Sequence, residues 1–333
     1  MLSSAFPDLW KRLSHSETQP VQSPGRIYGL QFWCGNETLH IEKPDTYHEE
    51  YCCTTHVVGL PEHPATNEPM PLTPYQVDFV NSVIKAVTNP GTMSQLEWKR
   101  LAHMFHVLKG RQMGFTEIVL RLIQHFCFNR YAGKNIGIIA ATNGNLARKD
   151  LRRFYKLFKN IQHTIMEPLK GSKLVLWDGT TIEAFPASEE ALTGDTKYAA
   201  ILMDESAKWK LVDDTPVFNS VMPIVRSNGA DLFLISTPKG PTKTFYKIWK
   251  DPQDFVMLRY DIWEAEGNLY TKEQIENMIA SSKEDPKQEY LCEFTLTGGS
   301  IFGTKAMENT ESTVGEWDIG DDDEDDGYVE NDD

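Results

Sequence analysis

The chain has 333 residues, 40% hydrophobic and 24% charged, with 8 tryptophans, a balance that excludes an intrinsically disordered body and suits one large α/β core with smaller additions. No run approaches the roughly 18–20 apolar residues of a membrane span, and the start MLSSAFPDLWKRLSHS lacks a secretory pattern, so a cytoplasmic protein with no membrane partner is expected. The net charge of −15 sits in the tail: Glu308 to Asp333 holds 13 acids and no Lys or Arg, and −15 less −13 leaves about −2 for the rest, so any nucleic-acid surface must be local rather than a global field.

Residues 1–70 are rich in Pro, His and Gly and read as an irregular N-terminal lobe and linker, ending in GLPEHPATNEPMPLTP. The five cysteines are too few and too scattered for a disulfide framework. Cys34, His40, His48, Cys52, Cys53, His56 and His63 form a loose cluster without the paired spacing by which one turn grips zinc, so ordinary packing is the expectation. From Tyr75 the pattern changes. YQVDFVNSVIKAV places Val77, Val80, Ile84 and Val87 at helical spacing, and a second helix follows around Met93 to His103.

Four short apolar runs then recur between helical segments: Phe105–Leu108, Ile136–Thr142, Ala199–Glu205 and Leu232–Thr237. Continuous apolar strands separated by helices predict a mostly parallel sheet covered on both faces, the architecture of a P-loop NTPase. Ile118, Val119, Leu122, Ile123 and Phe126 stripe the helix after the first strand. The basic stretch Arg148, Lys149, Arg152, Arg153, Lys156 and Lys159 serves equally as a phosphate-contacting surface or a solvated helix face. KLVLWDGTTIEAFPA reads as a hairpin turning at Asp178-Gly179. After the fourth run come a strand, FVMLRY, and a helix opened by the capping box Thr271-x-x-Gln274 and reaching about Ser282, expected as a small helical lid. The core domain thus spans 71–300, and the acidic residues 301–333 are expected to be disordered.

A phosphate-binding loop needs glycines where backbone N–H groups approach phosphate, a helix N-terminus aimed at them, a cation, and a hydroxyl on Mg²⁺. Lys109-Gly110-Arg111-Gln112-Met113-Gly114-Phe115-Thr116 has this order between strand and helix, with Thr116 at the hydroxyl position and Gly114 at the second glycine. The usual GxxxxGK[ST] fails twice: Lys109 takes the first glycine position and Phe115 the lysine position. Phenylalanine cannot neutralise phosphate. Lys109, whose flexible ammonium can reach back, is the natural substitute, with Arg111 second for a bidentate grip on the γ-phosphate. The third strand ends in Asp204 and Glu205 at the carboxyl edge of the sheet, where Asp204 would hold Mg²⁺ and Glu205 would polarise the attacking water. Ser236 and Thr237 reach the same edge; they suit either a phosphate sensor or a plain Ser/Thr turn before Pro238. Tyr75 and Gln76 offer a face and an amide for adenine, although Thr73-Pro74 is also an ordinary helix start.

The order LTPYQ, KGRQMGFT, AAILMDE, LISTPKG and QEYLCEF resembles the ATPase half of the large terminase subunits of tailed viruses, over roughly residues 70 to 300. In that family the loop lysine can occupy the first position, so the resemblance implies that Lys109 is the working lysine, Arg111 the γ-phosphate sensor, Asp204 and Glu205 the metal and catalytic acids, and Ser236 and Thr237 the residues that couple hydrolysis to movement. It further implies ATP and Mg²⁺ as cofactors, double-stranded DNA as cargo, and a homo-oligomeric ring in which Arg148 or Arg152 serves a neighbour's site in trans. Portal protein and small terminase subunit are the implied partners, in the host cytoplasm and transiently at the procapsid. The usual RNase H-like nuclease has no counterpart in the remaining length, so the expectation is either that cleavage resides on another polypeptide or that this is a truncated or split subunit. Two alternatives stay open: another helicase-like DNA-dependent ATPase, and a nucleotide-binding regulator without hydrolysis, motivated by Phe115 and opposed by Glu205.

Overall fold

The structure, a computed structural model, describes residues 72–87, 103–127, 130–141, 145–158, 165–192 and 197–295. The N-terminal lobe with its Cys/His cluster, most of the expected helix from Met93 and the acidic tail lie outside the described residues.

Helix α1 (Pro74–Val87) precedes strand β1 (His103–Lys109), which leads through the glycine-rich loop into α2 (Phe115–Cys127). Then follow β2 (Asn135–Ala140), α3 (Asn145–Leu157), β3 (Ile165–Lys170), β4 (Lys173–Leu176), β5 (Thr181–Phe185) and β6 (Tyr198–Asp204). A 3₁₀ turn (Ser206–Lys208), α4 (Thr215–Asn228), β7 (Asp231–Ser236), α5 (Thr244–Lys250) and β8 (Phe255–Tyr260) complete the core. The C-terminal part is a 3₁₀ turn (Ile262–Ala265), α6 (Lys272–Ala280) and the short α7 (Pro286–Glu289).

One sheet takes the order β3-β4-β5-β2-β6-β7-β1-β8, parallel throughout except where β4 runs against β3 and β5. Period-2 alternation feeds two cores. Phe105, Val107, Leu202, Phe233 and Ile235 face α1, α2 and α3, whereas Met104, Leu108, Met203, Leu232 and Leu234 face α4 and α5. The expected hairpin is β4–β5, turning at Gly179 in the left-handed region (φ 87°). The capping box at Thr271 and Gln274 forms, and α6 ends at Ala280.

Two expectations are corrected. His103 begins β1 rather than ending a helix, because it pairs with Asp231 on β7 and its ring Nδ1 lies 3.0 Å from the Asp231 carboxylate. Strand β3 was not foreseen: IMEPLK carries charges and Pro168, which a ladder tolerates at an edge strand such as this one.

At the edge opposite the loop, the fully buried Asp231 accepts from Arg130 Nε (2.6 Å) and Nη2 (2.8 Å) and from Tyr131 Oη (2.8 Å). Burial pushes its carboxyl up, but Arg130 and His103 outweigh that and hold it below the usual carboxylate range. This network pins the N-terminal ends of β1 and β7, whose other ends carry the site. On β1 the buried His106 sits against the Phe245 carbonyl, Nε2 at 2.9 Å, and burial pushes it down to about 4.

Between about pH 6.5 and 4 the unfolded chain therefore binds a proton that native His106 does not, and stability must fall on acidification through that window. Urea unfolding at about pH 7.5 and 5 should show a loss to which His106 contributes about 2 kcal/mol. His106→Leu should flatten that pH dependence; an unchanged slope would mean that His106 titrates normally.

Candidate active site

The loop is built by the end of β1 and the start of α2. Gln112 (φ 62°) and Gly114 (φ 74°) take left-handed backbone, which curls the loop ahead of the α2 N-terminus. Gly110 is required for a different reason: a Cβ there would meet the Tyr290 carbonyl and Met113 Sδ at 3.0 Å and the Ile262 nitrogen at 3.1 Å. The loop is gripped from three sides. Tyr75 Oη donates to the Met113 carbonyl at 2.8 Å, Gln76 Nε2 to the same oxygen at 3.2 Å, and Tyr270 Oη to the Gln112 carbonyl at 2.9 Å. Gly110 N–H donates to the Tyr260 carbonyl (2.8 Å) and Arg111 N–H to the Glu289 carbonyl (2.7 Å).

Phe115, at the usual lysine position, faces the core. It is 2% exposed, and its ring packs on Tyr260, Phe79 and Tyr75 at centroid distances of 5.0, 5.6 and 5.7 Å. The positive charge arrives instead from Lys109, the last residue of β1, whose Nζ lies 2.5 Å from Glu205 Oε1. Burial works against the Lys109 ammonium, but Glu205 and Asp204 outweigh it and raise its pKa; Lys109 in turn outweighs the burial of Glu205 and keeps that carboxyl low. Both stay charged at neutral pH.

Glu205 itself adopts left-handed backbone (φ 50°, ψ 38°) at the turn from β6 into the 3₁₀ segment, a conformation costly for a residue with a Cβ and characteristic of functional sites. Ser236, at the end of the intervening β7, donates to the Thr237 carbonyl at 2.7 Å and has its Oγ 3.5 Å from Glu205 Oε2. Thr237 is fully buried, and among the described residues its Oγ1 has no hydrogen-bond partner. Thr116 Oγ1 lies 3.4 Å from both oxygens of Asp204, whose main-chain carbonyl accepts from the Trp209 indole at 3.0 Å.

Burial, with Glu205 and Asp150 nearby, pushes the Asp204 carboxyl well up. Asp150, on α3, is fully buried and pushed up to about 6 by burial; Arg153 Nη1 stands 3.5 Å from its Oδ1. Asp204 and Glu205 thus face one lysine, with Asp150 beside Asp204. Among the described residues no three His, Cys, Asp or Glu side chains form a ready metal cluster, but the surplus negative charge and the Thr116–Asp204 pair fit a hard divalent cation that keeps several waters.

The structure brings Lys109 through Thr116, Asp204, Glu205, Ser236 and Thr237 to one sheet edge. Tyr75 and Gln76 stand behind the loop, and the Gln76 side-chain oxygen Oε1 accepts from Thr73 N–H at 3.1 Å. Arg148 and Arg152 lie apart, exposed on α3, and Arg148 contacts Asn145 at 2.6 Å. Sequence reasoning missed Asp150, Lys208, Trp209 and Glu289. Asp150 had a signal: it is the one acid within the buried stripe Ala147, Leu151, Phe154.

The family model described as terminase large subunit, T4likevirus-type, N-terminal, matches residues 106–308. Comparison with the curated proteins gives no match. Among solved structures, the large terminase of a thermophilic bacteriophage is 16% identical with a TM-score of 0.52, over 71% of this chain and 57% of that one. The same phage protein in complex with ADP gives 16% and 0.50 over 68% and 54%. The large terminase ATPase domain of Thermus phage P74-26 gives 16% and 0.44 over 65% and 98%. The first of these likenesses establishes the fold, and this chain spans a little over half the length of that phage protein.

Phe115→Lys should not rebuild a conventional loop. It buries an ammonium among three aromatic rings and should lower the unfolding free energy by roughly 3–5 kcal/mol; unaltered stability in a denaturant titration would show that position 115 faces the loop concavity.

Proposed function

The chain belongs to the large terminase subunit family of the T4-like-virus type, the subunits of DNA-packaging motors, and from that premise we propose that residues 71–300 form an ATPase domain whose turnover drives double-stranded DNA. The observation that carries this reading is the Lys109 Nζ to Glu205 Oε1 contact of 2.5 Å at the mouth of the curled loop.

Arriving phosphates compete with Glu205 for Lys109. The lysine then neutralises the β and γ oxygens from the strand end, and the released Glu205 carboxylate orients and polarises the attacking water. Thr116 and Asp204 would hold Mg²⁺, which when bound would supply charge neutralisation to the phosphates. Gly110, Arg111, Gln112, Met113 and Gly114 wrap the phosphate chain, with Arg111 on the γ-phosphate. Tyr75 and Gln76 read the adenine and report it to the loop through Met113. Ser236 and Thr237, touching both Glu205 and the loop that follows β7, carry the change outward. The exposed Arg148 and Arg152 suit contact with a neighbour in a ring, and phosphate contacts would move DNA without reading its sequence.

The remaining assignments follow from the family: portal protein and small subunit as partners, and action in the infected cell at the procapsid. Residues 1–70 and 301–333 are proposed as separate from the ATPase domain.

Steady-state ATP hydrolysis with and without double-stranded DNA tests the reading. Lys109→Ala and Glu205→Gln should each lower kcat by at least about 100-fold, and DNA should stimulate the unaltered chain. Wild-type turnover retained in Lys109→Ala would remove Lys109 from the mechanism.

A further inference from the structure

Glu289, at the end of α7, is 1% exposed, yet its carboxylate joins two cations from distant parts of the chain. Lys208 Nζ lies 2.5 Å from Oε1 and Arg111 Nη1 3.2 Å from Oε2. A carboxylate so deep is costly unless its charge is matched, and here each oxygen has its own cation. Arg111 belongs to the phosphate loop. Lys208 belongs to the 3₁₀ turn directly after Glu205: its N–H donates to the Glu205 carbonyl at 2.9 Å, and its charge helps to keep the Glu205 carboxyl low. The main chain repeats the link, since Arg111 N–H donates to the Glu289 carbonyl at 2.7 Å. One residue therefore holds the loop by backbone and side chain and ties it to the segment carrying Glu205.

The two cationic heads differ from the acid between them. Arg111 is 53% and Lys208 27% exposed at the side chain, against 2% for Glu289. The cationic heads reach solvent while the carboxylate between them stays buried. With Phe115 turned into the core, Lys109 is the single lysine that the loop itself supplies, and it already faces Glu205 and Asp204. On the basis of the ATPase reading above, we propose that Lys208 is a further phosphate-binding cation and that Glu289 is the positioning residue that aims Lys208 and Arg111 together at the terminal phosphate.

A charge removed from behind two cations strengthens their field even as it loosens their placement, so the two residues have opposite signatures. Lys208→Ala should weaken binding of a fluorescent ATP-γ-S analogue to the full chain about tenfold and leave ADP within about twofold, with Lys208→Arg restoring the preference. Glu289→Gln should bind ATP-γ-S at least as tightly as wild type while kcat falls about tenfold. Joint loss of binding, turnover and melting temperature in Glu289→Gln would show a merely structural role and overturn the positioning assignment. An unchanged preference for ATP-γ-S over ADP in Lys208→Ala, which alters a partly exposed side chain and should fold, would overturn the proposal for Lys208. If the wild type bound both nucleotides in a Lys109-dependent way, that failure would belong to this inference alone; a wild type that bound neither would overturn the ATPase reading and this inference with it.

Discussion

The positive charge of the phosphate loop is rooted at the end of a strand rather than in the first turn of a helix, and the rest of the site is arranged around that choice. Lys109 closes β1, Glu205 follows β6, and β7 lies between them in the sheet. The 2.5 Å contact therefore spans two strand spacings, and Ser236 at the end of β7 fills the gap beneath it. Parallel strands held by the Asp231–Arg130–His103 network at their far ends give both charges a stiff base. Such a base lets oppositely charged groups meet at the mouth without either collapsing into the core.

Moving the lysine frees the helix position for packing. Phe115 joins Tyr75, Phe79 and Tyr260 in an aromatic group that holds α1, α2 and β8 against one another directly beneath the loop. Tyr75 in that group also bonds the Met113 carbonyl, and Tyr260 Oη donates to Asp78 at 2.7 Å. The cradle is thus fixed from one side by α1, from the far side by Tyr270, and from the C-terminal side by Glu289. Groups held in place before reaction need little reorganisation during it, which is where electrostatic catalysis draws most of its advantage.

The sheet was legible because its strands are continuous apolar runs bounded by helical periodicity; Ala199–Glu205 and Leu232–Thr237 each mark a buried parallel strand to within a residue or two. The positions of Lys109, Thr116, Asp204 and Glu205 at one edge follow from that sheet and from the rule that parallel strands present their carboxyl ends together. Strand β3 was illegible because a charged edge strand interrupted by proline has neither signal. Lys208 and Glu289 were illegible for another reason: their pairing joins residues 81 positions apart, and no local pattern records a long-range ion pair. Phe115 was half legible, its unfitness for phosphate being plain from its chemistry, while its place in an aromatic group required α1 and β8 to be brought together.

The proposed mechanism turns on Lys109, and not the residue at the helix start, meeting the phosphates. A crystal structure of the chain with Mg²⁺ and ATP-γ-S tests it most directly. Lys109 Nζ should lie within about 3 Å of β- or γ-phosphate oxygens, displaced from Glu205, with Phe115 still against Tyr75 and Tyr260. Phosphates bound with Lys109 still on Glu205, and neutralised by some other cation, would contradict it.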